Sequence, residues 1–299
     1  MSNLEFNKNT SSIKRKKIIS KSSAYTILTI LSVIWILPLI WMIIQSFAGP
    51  EGSYQNGKLF PETFSFHWYA ELFTNTSYPY WRWFLNTLVI AVVCMFLSTF
   101  FTIAMAYVMS RFRFKSRKRL QSIGMILGMF PGFMSMAAIY NIFKSVGMAG
   151  AEANTFELLL ALVLVYSGSA GLGYYVSKGF FDTISRSLDE AARIDGASNS
   201  QIFFKIILPL SKPIIVYTAL MSFLGPWGDF IFSSYLLKTK TEAWTVAVGL
   251  YNLVSGNLIN QYYNMFMAGA VLIAVPITIL FLCLQRYFVE GITGGAVKG

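Results

Sequence analysis

The chain has 299 residues, of which 55% are apolar, 16% aromatic and only 12% charged. A soluble domain carries about 25% charged residues, so there is too little charge to cover a globular surface, and the mean hydropathy of +0.56 agrees. These numbers exclude an ordinary soluble enzyme, a disordered tail and a disulfide scaffold, while the net charge of +11 leaves two readings, a nucleic-acid partner or charge held at a membrane surface.

A bilayer core about 30 Å thick needs about 20 apolar residues in a helix, and six stretches qualify. In chain order they are Ala24 to Ala48 with Pro38 inside, Phe84 to Ser110, Leu120 to Phe143 around Pro131-Gly132, Gly-rich Leu158 to Val176, Ile214 to Leu237, and Asn264 to Phe288 with Pro276 inside. The first is too long for a signal-peptide apolar core and follows a polar arm, so it reads as a retained anchor. The fold class is therefore all-α, a polytopic membrane protein of six helices. Its parts are an N-terminal arm (1–23), the first span with its outer loop (24–83), a core of five spans (84–288) and a tail (289–299). Cys94 and Cys283 both sit in apolar runs and read as small buried hydrophobes rather than a disulfide or metal pair.

The basic residues fall in blocks. Six precede the first span, six lie in Arg111 to Arg119, and five lie between spans four and five; with Arg286 and Lys298 they place 19 of the 24 on one face. The positive-inside rule then predicts that both termini are cytoplasmic. Nucleic acid drops out as a partner, because the charge is divided among short juxtamembrane blocks.

A six-span protein is a channel, an ion-coupled carrier, an intramembrane enzyme or the membrane subunit of an ATP-driven transporter. Carriers place ionisable groups at membrane depth, and only Asp229 qualifies, just after the helix-breaking Gly225-Pro226-Trp227-Gly228. That carboxylate suits a cap on the restarted helix; a place in the substrate path and proton coupling are the other readings. The lone His67 lies in an outer loop, with no HExxH motif, intramembrane acid pair or GxxxxGK[ST] loop to support hydrolysis. Any ATPase is then a separate polypeptide, and this chain needs a surface to receive it.

The cytoplasmic segment between spans four and five, centred on 187–209, supplies one. Ser187 with Glu190 predicts a capping box, and Leu188, Ala191, Ala192 and Ile194 give the helix an apolar stripe. Gly196 suits a left-handed C-terminal turn. Ser198 or Asn199 caps a second helix that buries Ile202, Phe203, Ile206 and Ile207, and Pro209 stops it. By composition alone such a hairpin also suits the lipid surface.

The spacing is more specific. Glu190-Ala191-Ala192, three residues, Gly196, nine residues, then Ile206-Ile207-Leu208-Pro209 reproduces the EAA signature, and the chain resembles the permeases of bacterial binding-protein-dependent ABC importers. Pro226 to Phe232, the stretch Ala106 to Phe114 and the tail Gly291 to Gly299 are similar to the MalG-type permeases of carbohydrate importers. The resemblance covers the chain from about Phe84 to its end.

That resemblance implies partners: a second, MalF-like permease subunit, an ATPase dimer, an extracellular sugar-binding protein and an oligosaccharide of the maltose/maltodextrin type, with another sugar such as a galacto-oligosaccharide, or a glycerol phosphate, as the alternative substrate. It implies no cofactor in this chain, ATP and Mg being held by the ATPase, and no metal. It makes the hairpin a coupling helix in which Glu190, Ala191, Ala192, Gly196, Ile206, Leu208 and Pro209 meet the ATPase. The loop between spans five and six would touch the binding protein through Tyr251, Asn252, Ser255, Gly256 and Asn257, although an interfacial aromatic belt explains its Trp and Tyr content equally. The tail would reach the ATPase dimer interface.

Overall fold

The computed structural model describes the backbone of residues 2–50 and 60–296, and side chains within 21–50, 60–171 and 173–287. The tail Gly291–Gly299 therefore has no described side chains, although its backbone stays helical through Ala296. The described residues are helical apart from turns and one isolated pairing between Ala48 and Phe64.

Three helices are each long and apolar enough to cross a membrane: α1 (Ser2–Ser46), α3 (Tyr80–Arg111) and α14 (Ile259–Ala296). Three bent pairs, each counted as one span, bring the number among the described residues to as many as six by length and composition. They are α4 (Arg117–Met129) with the 3₁₀ turn Gly132–Ser135 and α5 (Met136–Ser145), bent by 92°; α6 (Thr155–Ala170) with α7 (Tyr175–Thr183), bent by 42°; and the second half of the hairpin with α11 (Lys212–Gly228), bent by 78°. Short helices α2 (His67–Thr74), α12 (Ile231–Leu237) and α13 (Val246–Leu253) complete the end remote from the hairpin. The chain exposes 19014 Å², against about 12,700 Å² for a soluble monomer of this mass. The excess is apolar helix surface such as Tyr25, Ile34 and Trp35 on α1, which lipid or other subunits must cover.

Proline shapes two of these regions. Phe130 precedes Pro131 and is driven to extended backbone (ψ 130°), because the proline ring excludes the helical region for its predecessor. Pro276 and Pro38, by contrast, sit within continuous helices. Pro209 does not stop its helix as expected. The chain widens into a π turn over Phe203–Ile207, where Leu208 N–H donates to Phe203 O, and then continues as α10 (Leu208–Leu210). A wide turn accommodates a proline that has no N–H and whose ring would strike the carbonyl of Lys205. The bend follows at Ser211, fully buried, whose hydroxyl donates to Ile207 O at 2.7 Å.

The core forms three clusters, and α3 contributes to all of them. At the remote end Trp83, fully buried, donates its indole N–H to Thr241 O at 3.1 Å and lies against α13. Gly249 makes that approach possible, since a Cβ there would sit 2.0 Å from the Trp83 ring. Thr87 accepts the first N–H of α13, from Val246, at 2.8 Å. Mid-chain, Ile90 and Cys94 pack with Leu158, Leu162 and Leu236. Near the hairpin, Ile103, Ala106 and Met109 pack with Phe181, Ile202 and Ile207. Cys94 is buried as expected, but Cys283 is exposed on the outer face of α14.

The last turn of α3 also holds the hairpin by polar contacts. Arg111 lies 3.4 Å from the Asp189 carboxylate, with side chains only 4% and 12% exposed, and donates to Ile184 O at 3.0 Å. Arg186 donates to Ser110 O at 3.0 Å, and Ser110 donates to Asp182 at 2.6 Å.

Two outcomes follow from this packing. Gly249→Ala should lower stability by about 1–3 kcal/mol, the cost of overpacking against an immobile ring, read as an earlier melting transition in detergent. Asp189→Ala should cost about 3 kcal/mol because it strands Arg111 in a buried site, and an Arg111→Met, Asp189→Leu pair should recover most of it; a single variant as stable as the parent would show the ion pair to be idle.

Candidate functional site: the hairpin and the remote loops

α8 (Ser187–Ile194) opens the hairpin, and α9 (Asn199–Ile202), the π turn and α10 form its second arm. The expected Ser187/Glu190 capping box is absent. Arg186 takes the N-cap position with helical backbone, Glu190 N–H donates to Arg186 O at 3.1 Å, and Ser187 engages Ser185 at 2.7 Å. Helical structure begins one residue before the box requires, leaving the Glu190 carboxylate exposed and without a partner among the described residues.

The turn between the arms is fixed by backbone geometry. Gly196 has φ +81°, a region costly for any residue with a Cβ. Gly196 N–H donates to Arg193 O at 3.0 Å and Ala197 N–H to Ala192 O at 2.9 Å, the bond pair that closes a helix C-terminus around a left-handed residue. Ser198 and Gln201 then form a reciprocal box at 3.3 and 2.8 Å.

The faces of α8 divide unexpectedly. Its inward side consists of Asp189 and Ala192, whereas Leu188, Glu190, Ala191 and Ile194 point away from the chain, Ile194 being 86% exposed. Ile206 and Leu208 are half-buried against this chain's own core, and Pro209 is exposed. Of the EAA residues, then, Glu190, Ala191, Gly196 and Pro209 present an outward surface, while Ala192, Ile206 and Leu208 fasten the hairpin. Beside it, Arg111, Arg113, Arg186 and Arg193 with Glu190 border a basic cleft of about 760 Å³. The Arg111–Asp189 pair had no local sequence signature, because its members lie 78 positions apart.

At the other end of α11 the helix stops at Gly228 and restarts as α12. The Asp229 carboxylate accepts Phe232 N–H at 3.2 Å, Ser233 N–H at 3.1 Å and the Ser233 hydroxyl at 3.1 Å, and it receives the Tyr166 hydroxyl in a short hydrogen bond. Two otherwise unpartnered helix N–H groups are thereby satisfied.

In the loop between α12 and α14, Tyr251 is 52% exposed and its ring lies 4.1 Å from that of Phe230. The Asn252 amide donates to Val248 O and the Ser255 hydroxyl to Tyr251 O, both at 2.8 Å. Gly256, at φ +57°, and Asn257 are exposed at the tip. Trp244 and Tyr262 are used internally, against Trp83 and Tyr78. No group of His, Cys, Asp and Glu suited to a metal occurs among the described residues.

Comparison with known proteins agrees over nearly the whole chain. It is 38% identical over 288 residues to the galactooligosaccharides transport system permease protein GanQ of Bacillus subtilis, covering 96% of this chain and 99% of that one. It is 39% identical over 289 residues to the maltodextrin transport system permease protein MalD of Streptococcus pneumoniae, with the same coverage. Its fold matches a crystal structure of a bacterial ABC transporter involved in import of the acidic polysaccharide alginate, at TM-score 0.72 and 22% identity over 92% of this chain and 98% of that one. The family pattern of the binding-protein-dependent transport system inner membrane component matches residues 98–294, which contain the hairpin, Asp229 and the remote loop. The chain belongs to that family and is a membrane-embedded transport subunit.

Proposed function

We propose that this chain is one of two permease subunits of a bacterial importer for a neutral oligosaccharide, driven by ATP bound with Mg on a separate ATPase dimer and supplied by an extracellular sugar-binding protein. The observation that carries the reading is the outward face of α8: an acidic residue and apolar side chains displayed on a helix that is clamped from behind. A helix meant only to lie on lipid has no need of a buried ion pair beneath it. The near-equal similarity to maltodextrin and galactooligosaccharide permeases supports the oligosaccharide class without selecting one sugar.

In this reading the basic end of the molecule is cytoplasmic, consistent with the distribution of Lys and Arg. Glu190, Ala191 and Gly196 seat the hairpin in the ATPase, while Ala192, Ile206 and Leu208 fasten it to this chain and, with Pro209, transmit the load. Nucleotide-driven closure of the ATPase pulls on α8, and the second arm carries the displacement into α11, a two-state change driven by differential binding. A MalF-like subunit covers apolar surface that α1, α3 and α14 leave bare. At the opposite end Tyr251, Asn252, Ser255, Gly256 and Asn257 face the binding protein. The Gly291–Gly299 tail meets the ATPase dimer interface. Asp229, already accepting four hydrogen bonds, serves as a structural cap rather than a proton carrier.

Purifying the intact complex and identifying the sugar carried by its binding protein tests the class directly. Replacing the Walker lysine of the partner ATPase should abolish uptake; uptake that persists and depends on Asp229 and a proton gradient would identify a carrier instead. Ile194→Asp should leave melting unchanged and reduce ATPase association at least tenfold, about 1.4 kcal/mol. Gly196→Val should reduce association likewise and, by straining the left-handed turn, lower melting as well, and normal assembly with normal uptake in both would refute docking through α8. Deleting Gly256-Asn257 and, separately, truncating after Val289 should each lower uptake.

A further inference from the structure

A cavity of about 370 Å³ opens between α3, the α6–α7 break and α11, within the range of about 300–1,000 Å³ typical of small-molecule sites. Eight of its fourteen lining residues carry a hydroxyl, and none carries a charge. Most of the hydroxyls are committed to structure. Thr102 donates to Ala170 O at 3.0 Å, Ser169 donates to Tyr166 O at 3.0 Å, and Ser177 pairs with Thr218 at 3.1 Å. Tyr166 is held by Asp229.

Ser98 and Ser222 are the exceptions. Ser98 is only 4% exposed and lines the cavity, yet makes no hydrogen bond among the described residues, and Ser222 on the facing helix is likewise uncommitted. A buried helical hydroxyl normally donates to the carbonyl one turn earlier, as Thr87, Thr99 and Thr218 do here. The Ser98 oxygen opens onto the cavity instead of being sealed in the core, so the hydroxyl is free to bond a polar occupant. Ser98 lies 13 residues from the end of α3, about 20 Å along the helix and so near the middle of the span.

Cβ atoms built at Gly173 and Gly225 would meet nothing within 4 Å, so these lining glycines open the cavity instead of packing helices together. Val176, Met221 and Pro226 supply an apolar wall. A wall of uncharged hydroxyls facing an apolar surface matches a sugar ring, which has hydroxyl edges and C–H faces. It does not suit an ion, and an apolar helix of another subunit would leave Ser98 unsatisfied.

We propose that this cavity is a sugar-binding station in the translocation path, with Ser98 and Ser222 as hydrogen-bonding contacts to a neutral saccharide. The proposal rests on the importer reading above, and wild-type sugar uptake by the reconstituted complex tests that reading separately. The test uses the complete complex in proteoliposomes. The Ser98→Ala, Ser222→Ala pair should lower the uptake rate per assembled complex at saturating binding protein by about fivefold, the scale of losing a hydrogen bond, and Ser222→Thr should retain near-parental uptake. In a Cys94→Ala, Cys283→Ser background, Ser222→Cys should react with a methanethiosulfonate reagent about fivefold more slowly when the nucleotide-trapped complex is formed with sugar-loaded rather than sugar-free binding protein. Parental uptake in the double alanine variant, equal thiol reactivity in the two trapped complexes, or a loss traced wholly to poorer subunit assembly would each overturn the assignment while leaving the importer reading standing.

Discussion

Backbone N–H and C=O groups shut away from water, in the membrane or beneath packed helices, must find partners inside the protein, and three breaks in the helices here meet that requirement with side chains. The freed carbonyl of Ala170 at the α6–α7 break takes the Thr102 hydroxyl. At the elbow before α11, the Ile207 carbonyl takes the Ser211 hydroxyl and N–H. Where α12 restarts, Asp229 takes the exposed amides of Phe232 and Ser233. Breaks that would otherwise be costly thus become places where helix direction changes at fixed positions.

The same economy links the two ends of the molecule. α3 is the common wall of all three core clusters: Trp83 and Thr87 seat α13 at one end, and Ser110 and Arg111 seat the hairpin at the other. A transport subunit has to keep its docking surfaces in register while its helices shift. One long helix anchoring both is a direct way to do so.

The six apolar runs, the Gly196 turn and the Ser198 cap were legible because each depends on residues within a few positions of one another. The Asp229 contacts were partly legible, since a lone carboxylate after Gly225-Pro226-Trp227-Gly228 predicts amide partners but not Tyr166, 63 positions away. Which side of α8 faces outward was not legible. Leu188 and Ile194 suggest a buried stripe, yet Arg111 draws Asp189 inward and rotates the apolar side chains out. Pro209 misled for a similar reason: its local effect is to end an α-helix, but burial of Ile202 and Ile207 favours a wider turn that keeps the chain on course. Cys283 shows that an apolar run says nothing about which of its residues meet protein and which meet lipid.

The 78° elbow at Ser211 has a mechanical consequence. Its arms, Asn199–Leu210 and Lys212–Gly228, are about 18 Å and 25 Å long at 1.5 Å per residue. Turned as one piece through about 10°, it moves its short end by about 3 Å and its long end by about 4 Å. The bracket therefore gears a small stroke at one surface into a slightly larger, redirected stroke beside Asp229. Because the long arm also walls the hydroxyl-lined cavity, that stroke changes the width of the cavity without any helix having to unwind.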